Sequence, residues 1–319
     1  MNMHVPQSES AKIELINIAS VVKQIISPRE NKPIITIVQD TLLGINKLTK
    51  YETLEFKQGS KLTYGNNTQL YDTSGDSNSK VVPSAVFTKK QVMNLICNLS
   101  TFTGQLPEPE IKIDKNGKEL EYWSGKQIIT FIIPKNINME MNNDNFDNNP
   151  NKDINVVEII EGVVQKGAFD KAIFTKTSKG LIHTINNDFG PERAKDFIDD
   201  LQKIVSYFLL IEGFSVGISD MLADDETNNQ MRTIIDERKL QIEEIMQELH
   251  LDIFENLTGQ SNKAFFESKV NSVLNETLKS TGKIGLSTLH EKNRVTNMIN
   301  SGSKGKSTNI AQIVACLGQ

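Results

Sequence analysis

The chain has 319 residues, which suits one large or two medium domains and is enough to bury a hydrophobic core. Its 35 basic residues face 40 acidic ones, so the net charge of −5 disfavours a free-standing nucleic-acid binder with a basic surface. Cys97 and Cys316 form no Cys-x-x-Cys pair and support neither a disulfide framework nor a zinc site, and no apolar run approaches the ~20 residues of a membrane span. We therefore expect an intracellular protein.

The first predicted element is a helix that Ser8 caps and that runs to about Ser27, where Pro28 ends it. Apolar residues recur along it at helical spacing: Leu15, Ile18, Val22 and Ile25.

Short β-branched runs predict strands of a mixed sheet. They lie at residues 33–39, 128–133 and 154–160, with a weaker candidate at 173–175. Two polar stretches, 57–83 and 142–153, are predicted to be mobile surface insertions because they cannot bury enough apolar area to offset the entropy of ordering.

A long helix follows the turn at Gly190 and Pro191 and ends at Gly213. Its apolar stripe consists of Phe197, Leu201, Ile204, Phe208 and Ile211. From Gly213 to Asp224 the composition changes, so we place a domain boundary there.

The residues beyond this boundary predict a long antiparallel helical hairpin at about 224–282. Its first helix is charged and carries one narrow apolar stripe at Ile235, Ile242, Met246, Leu249 and Ile253. A break at Asn256–Gly259 precedes the second helix, whose stripe runs from Phe265 to Leu278. The fold class that this succession predicts is α+β.

The tract SGSKGKS at 301–307 is the strongest local chemical signal. Small residues let the backbone approach a ligand closely, and Lys304 and Lys306 could meet phosphate as point charges. A nucleotide-hydrolase P-loop would need a glycine where Asn300 stands, and it would follow a strand rather than a helix. On residue chemistry alone, a tight turn with solvated lysines is the favoured interpretation.

Other motifs favour structural roles. Asp188-Phe189-Gly190 spells a kinase metal motif without the catalytic loop that a kinase needs, so a turn before the Pro191 helix is preferred. His4, His183, His250 and His290 lack metal-ligand spacing, and Trp123 is expected in the core.

Several motifs together resemble the largest subunit of multisubunit DNA-directed RNA polymerases, most closely the RNA polymerase II type of cells or large DNA viruses. In the family's order they are MNMHVPQS at 1–8, SPRENKP at 27–33, IVQDTLLG at 37–44, WSGKQ at 123–127, GLIH at 180–183, GFSVGISD at 213–220 and the tract at 301–319. Both ends of the chain carry family motifs instead of the polar, poorly ordered residues usual at the ends of a domain, so the resemblance implies an internal fragment.

The resemblance implies a domain order: the edge of the active-site domain at 1–28, a mixed-sheet pore domain at 29–212, and a mostly helical funnel domain at 213–319. The pore would admit nucleoside triphosphates for RNA synthesis. Lys304 matches the lysine that approaches the incoming triphosphate, and Asn309, Gln312 and Gln319 match pore-facing positions. Lys306 and Ser307 depart from the family's commoner residues.

The resemblance also implies Mg²⁺ bound outside this chain, because the family's metal-holding Asp triad would precede residue 1. The isolated chain would then have no catalytic or metal-binding residues and would be inactive. Implied partners are the second-largest and other polymerase subunits, template DNA, nascent RNA and a transcript-cleavage factor at the funnel, with no membrane. Location would be the nucleus, or the host cytoplasm or virion. The alternative is a non-enzymatic interaction protein that presents the hairpin to a partner.

Overall fold

The structure is a computed structural model that describes residues 2–55, 62–64, 68–71, 79–102, 104–115, 118–143, 152–251, 253–289 and 293–317. It divides into two compact units, Met1–Gly213 and Phe214–Gln319. The first unit combines helices with small sheets and the second is helical, so the predicted α+β class is confirmed. In the described part of the chain, no helix is both long and apolar enough to cross a membrane.

The helices of the first unit are α1 (Glu9–Glu14), α2 (Gln39–Thr49), α3 (Lys89–Ile96), α4 (Gly125–Thr130), α5 (Lys152–Asn155), α6 (Lys171–Thr175), α7 (Leu181–Phe189) and α8 (Pro191–Glu212). Its strands are β1 (Tyr51–Glu55), β2 (Leu62–Tyr64), β3 (Thr68–Tyr71), β4 (Ser79–Pro83), β5 (Val86–Thr88), β6 (Ile111–Lys115), β7 (Lys118–Ser124), β8 (Met139–Asn142), β9 (Val156–Ile160) and β10 (Val163–Lys166). The second unit contains α9 (Asp225–His250), α10 (Asn262–Thr288), α11 (Arg294–Asn300) and α12 (Ser307–Val314).

The N-terminal helix is shorter than predicted. Ser8 caps it as expected, because its Oγ accepts a hydrogen bond from the Ala11 N–H at 3.2 Å. After α1, however, the chain continues as a π-helix over Leu15–Ala19 and a 3₁₀ turn over Val21–Gln24. Of the predicted apolar stripe only Ile25 is buried, whereas Leu15 and Ile18 are exposed. A regular helix draws most of its stability from a packed apolar face, which this segment lacks within the described unit.

The strand pairings among the described residues are all antiparallel, so the predicted mixed sheet is wrong. They form two two-stranded sheets, β1–β4 and β2–β3, and two three-stranded sheets with the orders β5–β7–β6 and β10–β9–β8. Of the four predicted strands, only the one at 154–160 is present in the structure, as β9. Residues 33–39 contribute a single bridge between Ile26 and Pro33, and residues 128–133 and 173–175 belong to α4 with its following turn and to α6.

The isoleucine run at 128–133 shows why these predictions failed. Ile128, Ile129 and Ile132 are completely buried, and a short apolar run buried on all sides fits a helix as well as a strand. Just upstream, Ser124 and Gln127 form a reciprocal capping box, which stabilises the first turn of α4.

The predicted polar insertions contain more regular structure than expected. β2, β3 and β4 all lie within residues 57–83, and β4 pairs with β1. Residues 56–61, 65–67 and 72–78 are outside the described residues, as are residues 144–151 of the second insertion. At the end of that insertion, residues 152–155 form α5.

The core of the first unit surrounds α2, α4, α7 and α8 and includes Trp123, as predicted. The predicted start of α8 at Pro191 and its end at Gly213, which has φ +70°, are both confirmed. The residues Phe197, Leu201, Ile204 and Phe208 of its stripe are buried. Ile211 is 48% exposed and does not join the core.

The second unit contains the predicted hairpin. Ion pairs join Arg238 of α9 to Glu276 of α10, and Glu248 of α9 to Lys269 of α10. Because residue numbers rise along α9 while those of the α10 partners fall, the two helices run antiparallel. Asp224 caps α9, and Ser261 caps α10. The seam is offset from the predicted stripe: Met231 and Ile245 are the buried apolar residues of α9, whereas Met246 is 39% exposed.

Candidate functional site

The tract at 301–307 is a fixed turn between two helices. α11 ends in a Schellman motif, in which the Gly302 N–H donates to the Ile299 carbonyl at 2.9 Å and the Ser303 N–H donates to the Met298 carbonyl at 3.1 Å. Gly302 has φ +74°, a backbone conformation that favours glycine. The buried Ser301 hydroxyl also donates to the Met298 carbonyl, at 3.0 Å. The backbone at the start of the tract is therefore held in one shape.

Lys304 and Lys306 project from this turn. Both are exposed, and neither forms an ion pair with a carboxylate in the part of the chain that the structure describes. Lys306 is the N-cap residue of α12 and Lys304 lies two residues before it, so both lysines are close in sequence to a helix N-terminus. Two unpaired cations at such an end suit an anionic group such as phosphate.

The turn does not form a P-loop. It follows α11, a helix, as the sequence indicated. The Asp188-Phe189-Gly190 motif is likewise a turn as predicted, because α7 ends at Phe189 and Gly190, with φ +89°, precedes α8. Neither motif therefore supports a hydrolase or a kinase.

Two of the three predicted pore-facing residues lie on α12. Asn309 and Gln312 are both exposed and three positions apart, so they share one side of the helix. Asn309 Oδ1 accepts a hydrogen bond from the Lys306 N–H at 2.7 Å, which fixes its side chain over the first turn. Ile310 and Ala311 are buried, and α12 packs on α10. Gln319 lies outside the described residues.

A junction around Asp220 was missed by the sequence reasoning. The Asp220 carboxylate accepts hydrogen bonds from the Gly217 N–H at 2.9 Å, from the Arg294 N–H at 3.2 Å and from Arg294 Nη1 at 3.3 Å. Asn293 Nδ2 donates to the Asp220 carbonyl at 2.8 Å. The Gly217 N–H first, and then the Arg294 N–H, hold the pKa of the Asp220 carboxyl below its ordinary value. Its position at the end of the GFSVGISD motif was the only signal for it.

His183 has a structural environment, as predicted. The ring lies 3.2 Å from Asn31 Oδ1 through Nε2 and 3.2 Å from Asn187 Nδ2 through Nδ1. A neutral imidazole with its proton on Nε2 satisfies both contacts, since it then donates to Asn31 and accepts from Asn187. These bonds join two of the sequence motifs, at 27–33 and 180–183.

The described residues do not fit a metal ion. They contain no group of three His, Cys, Asp or Glu side chains placed to hold one. Lys304 and Lys306 are exposed and positively charged, so they would repel a metal cation rather than bind it.

The sequence of the chain matches family models in both of its units. The chain matches RNA polymerase Rpb1, domain 3, over residues 24–221, and RNA polymerase Rpb1, domain 4, over residues 245–319. The chain belongs to the family of largest subunits of RNA polymerase.

This membership settles the broad function. The chain is part of the largest subunit of a DNA-directed RNA polymerase, a nucleotidyltransferase that carries out transcription. The family's enzymes are intracellular, depend on Mg²⁺, and work with other polymerase subunits, DNA and RNA. The alternative of a stand-alone interaction protein is not supported.

Proposed function

We propose that residues 29–212 form the pore domain of the polymerase and residues 213–319 its funnel domain, with residues 1–28 at the edge of the active-site domain. The supporting observations are the order of the two family matches and the division of the chain after Gly213. In this arrangement the chain lines the passage through which nucleoside triphosphates reach the active centre, and it positions substrate rather than catalysing the chemical step.

Lys304 is the proposed contact to the triphosphate of the incoming nucleotide. The observation that carries this role is an exposed lysine without an ion pair to a described carboxylate, on a turn that hydrogen bonds to Met298 and Ile299 hold in place. A preorganised cation binds phosphate without first losing a partner or ordering its loop. Asn309, Gln312 and Gln319 are proposed to face the pore beside it, and the exposure of the first two on α12 supports this.

Mg²⁺ would activate the RNA 3′ hydroxyl and stabilise the departing pyrophosphate in the whole enzyme. We place its ligands outside this chain, so the isolated chain would polymerise nothing. The second-largest subunit is the proposed main partner, and the α9–α10 hairpin the proposed docking place for a transcript-cleavage factor. The enzyme would work in the nucleus, or in the host cytoplasm or virion if it is viral.

The test is Lys304→Ala in the assembled polymerase. Loss of a charged contact to phosphate costs about 1.5–3 kcal/mol, so the apparent KM for nucleoside triphosphates should rise roughly tenfold or more while the amount of assembled enzyme stays unchanged. Lys239→Ala is the matched control, because it removes an exposed lysine of α9 whose ion pair is with Asp236 of the same helix. An unchanged KM and elongation rate for Lys304→Ala would refute the role.

A further inference from the structure

The position of Lys304 depends on a second point in the chain, just over eighty residues earlier. Lys304 lies four residues after the end of α11, a helix of seven residues that is about 10 Å long. The C-terminal end of α11 carries the Schellman motif that shapes the turn at 301–307, which we call the lysine turn. Whatever fixes the N-terminal end of α11 therefore helps to set where the lysine lies.

That N-terminal end is held by Asp220. Its carboxylate accepts from the backbone N–H of Arg294, the first residue of α11, at 3.2 Å, and from the Arg294 guanidinium at 3.3 Å. Asn293, the N-cap residue, donates to the Asp220 carbonyl at 2.8 Å and accepts from the Thr296 N–H at 3.0 Å. Asp220 thus acts as an additional cap for a helix far away in the sequence.

Burial makes this junction specific. Asp220 is 7% exposed and Asn293 is also 7% exposed, so an unmet hydrogen bond at either residue cannot readily be replaced by water. Asp220 is the third residue of the 3₁₀ turn over Ile218–Met221, and its carboxylate accepts a hydrogen bond at 2.9 Å from the N–H of Gly217, the N-cap residue of that turn. This turn contacts both α11 and α12, the two helices that flank the lysine turn.

We infer that Asp220 is a positioning residue for nucleotide binding: it fixes the start of α11 and, through this helix, the placement of the Lys304 ammonium group. The inference rests on the proposed role of Lys304. The Asp220 carboxylate is occupied by Gly217 and Arg294 and is buried, so we assign it no contact with substrate. Its effect on nucleotide use must therefore pass through Lys304, and this dependence can be measured.

Asp224 offers a matched control in the same unit. It too is an aspartate that caps a helix, because its carboxylate accepts from the Thr227 N–H at 2.9 Å. The helix that it caps is α9, which is not one of the two helices that flank the lysine turn. A general effect of losing an aspartate cap would appear in both variants, whereas an effect on the lysine turn should appear only in Asp220→Ala.

The experiment measures the apparent KM for nucleoside triphosphates, kcat and the yield of assembled polymerase for Asp220→Ala, Asp224→Ala, Lys304→Ala and the double variant Asp220→Ala/Lys304→Ala. Asp220→Ala should raise KM about three- to tenfold with a smaller change in kcat, and Asp224→Ala should leave KM unchanged. Because Asp220 acts through Lys304, the double variant should match Lys304→Ala rather than multiply the two effects. Asp220→Asn, which keeps one acceptor oxygen, should recover part of the loss.

Each failure has its own pattern. If Lys304→Ala leaves KM unchanged, the proposed function fails. If Lys304→Ala raises KM but Asp220→Ala does not, or if the two effects multiply, the positioning role fails while the proposed function stands. Should Asp220→Ala prevent assembly, Asn293→Ala loosens the same junction from the other side, and a normal KM in that variant overturns the inference.

Discussion

Gly282 of α10 and Ala311 of α12 lie so close that a Cβ atom on Gly282 would stand 2.5 Å from the Ala311 Cβ. Real Cβ atoms do not approach this closely, so the two helices can pack as they do only because residue 282 has no side chain. This close contact packs α12 against α10 of the hairpin. Because α12 begins where the lysine turn ends, the contact also fixes the C-terminal side of that turn.

We therefore predict that Gly282→Ala destabilises the packing of α12 on α10. Overpacking costs about 1–3 kcal/mol, and the better helix propensity of alanine recovers part of it, which leaves a net loss of about 1–2 kcal/mol. Hydrogen exchange of α10 and α12 peptides in the assembled polymerase would measure the loss.

The control for this prediction is Gly285→Ala. Its added Cβ would meet Val314 Cγ1 at 3.5 Å, an ordinary contact, so exchange should slow or stay the same. The second change Ala311→Gly should restore protection to Gly282→Ala by removing the clashing methyl group. Equal exchange in Gly282→Ala and Gly285→Ala would contradict the close approach.

Gly125→Ala is expected to disrupt the first unit. A Cβ at this position would lie 2.0 Å from the Leu48 carbonyl oxygen, which belongs to the backbone of α2 and cannot rotate away. The cost should reach about 3 kcal/mol or more. Trp123 is the only tryptophan of the chain and is buried in this core, so its fluorescence during urea unfolding reports the loss. Ser124→Ala removes only the cap of α4 and should cost about 1 kcal/mol; a similar loss for both variants would argue against the clash.

Asp200 should make the first unit sensitive to acid. Burial alone would raise the pKa of its carboxyl, but hydrogen bonds from Ser100 and Lys203 outweigh burial and hold that pKa below its ordinary value. Because the folded pKa is lower than the unfolded one, its stabilisation is complete above about pH 4–5 and is lost as the pH falls through the folded pKa.

Asp200→Asn should therefore lower the free energy of unfolding by about 1–3 kcal/mol near pH 7 and flatten its decline in acid. Urea unfolding followed by Trp123 fluorescence at several pH values gives both quantities. The neighbouring exposed Asp199→Asn is the control and should change neither. An unaltered acid profile in Asp200→Asn would show that another carboxylate governs the loss.

Gly302→Ala should impair nucleotide use by straining the lysine turn. Gly302 has φ +74°, where an alanine is less stable than glycine by about 1–2 kcal/mol. The turn can relieve this strain only by changing its backbone conformation. The apparent KM of the assembled polymerase for nucleoside triphosphates should rise a few-fold. Gly302→Asn should have a smaller effect, because asparagine tolerates the left-handed region better. The reverse order of the two variants would mean that backbone strain is not the cause.

Local signals of the sequence were sufficient wherever a nearby residue determines the outcome. Ser8, Pro191, Gly213 and Asp224 mark helix ends in the structure as they do in the sequence, because caps act within a single turn. The hairpin and the turn after α11 were predictable for the same reason. The family motifs predicted membership in the RNA polymerase largest subunits, which the matches to domains 3 and 4 confirm.

Only the tertiary structure decided the features that depend on residues distant in sequence. Ile128 and Ile129 are equally apolar in a helix or a strand, and their completely buried surroundings had to be known before either could be chosen. The bonds from Arg294 to Asp220 and the approach of Gly282 to Ala311 leave no periodic trace in the sequence, because each joins single positions on separate elements. The sequence by itself determined the helix caps, the hairpin and the family; tertiary packing decided which apolar runs became helices and how the lysine turn is held.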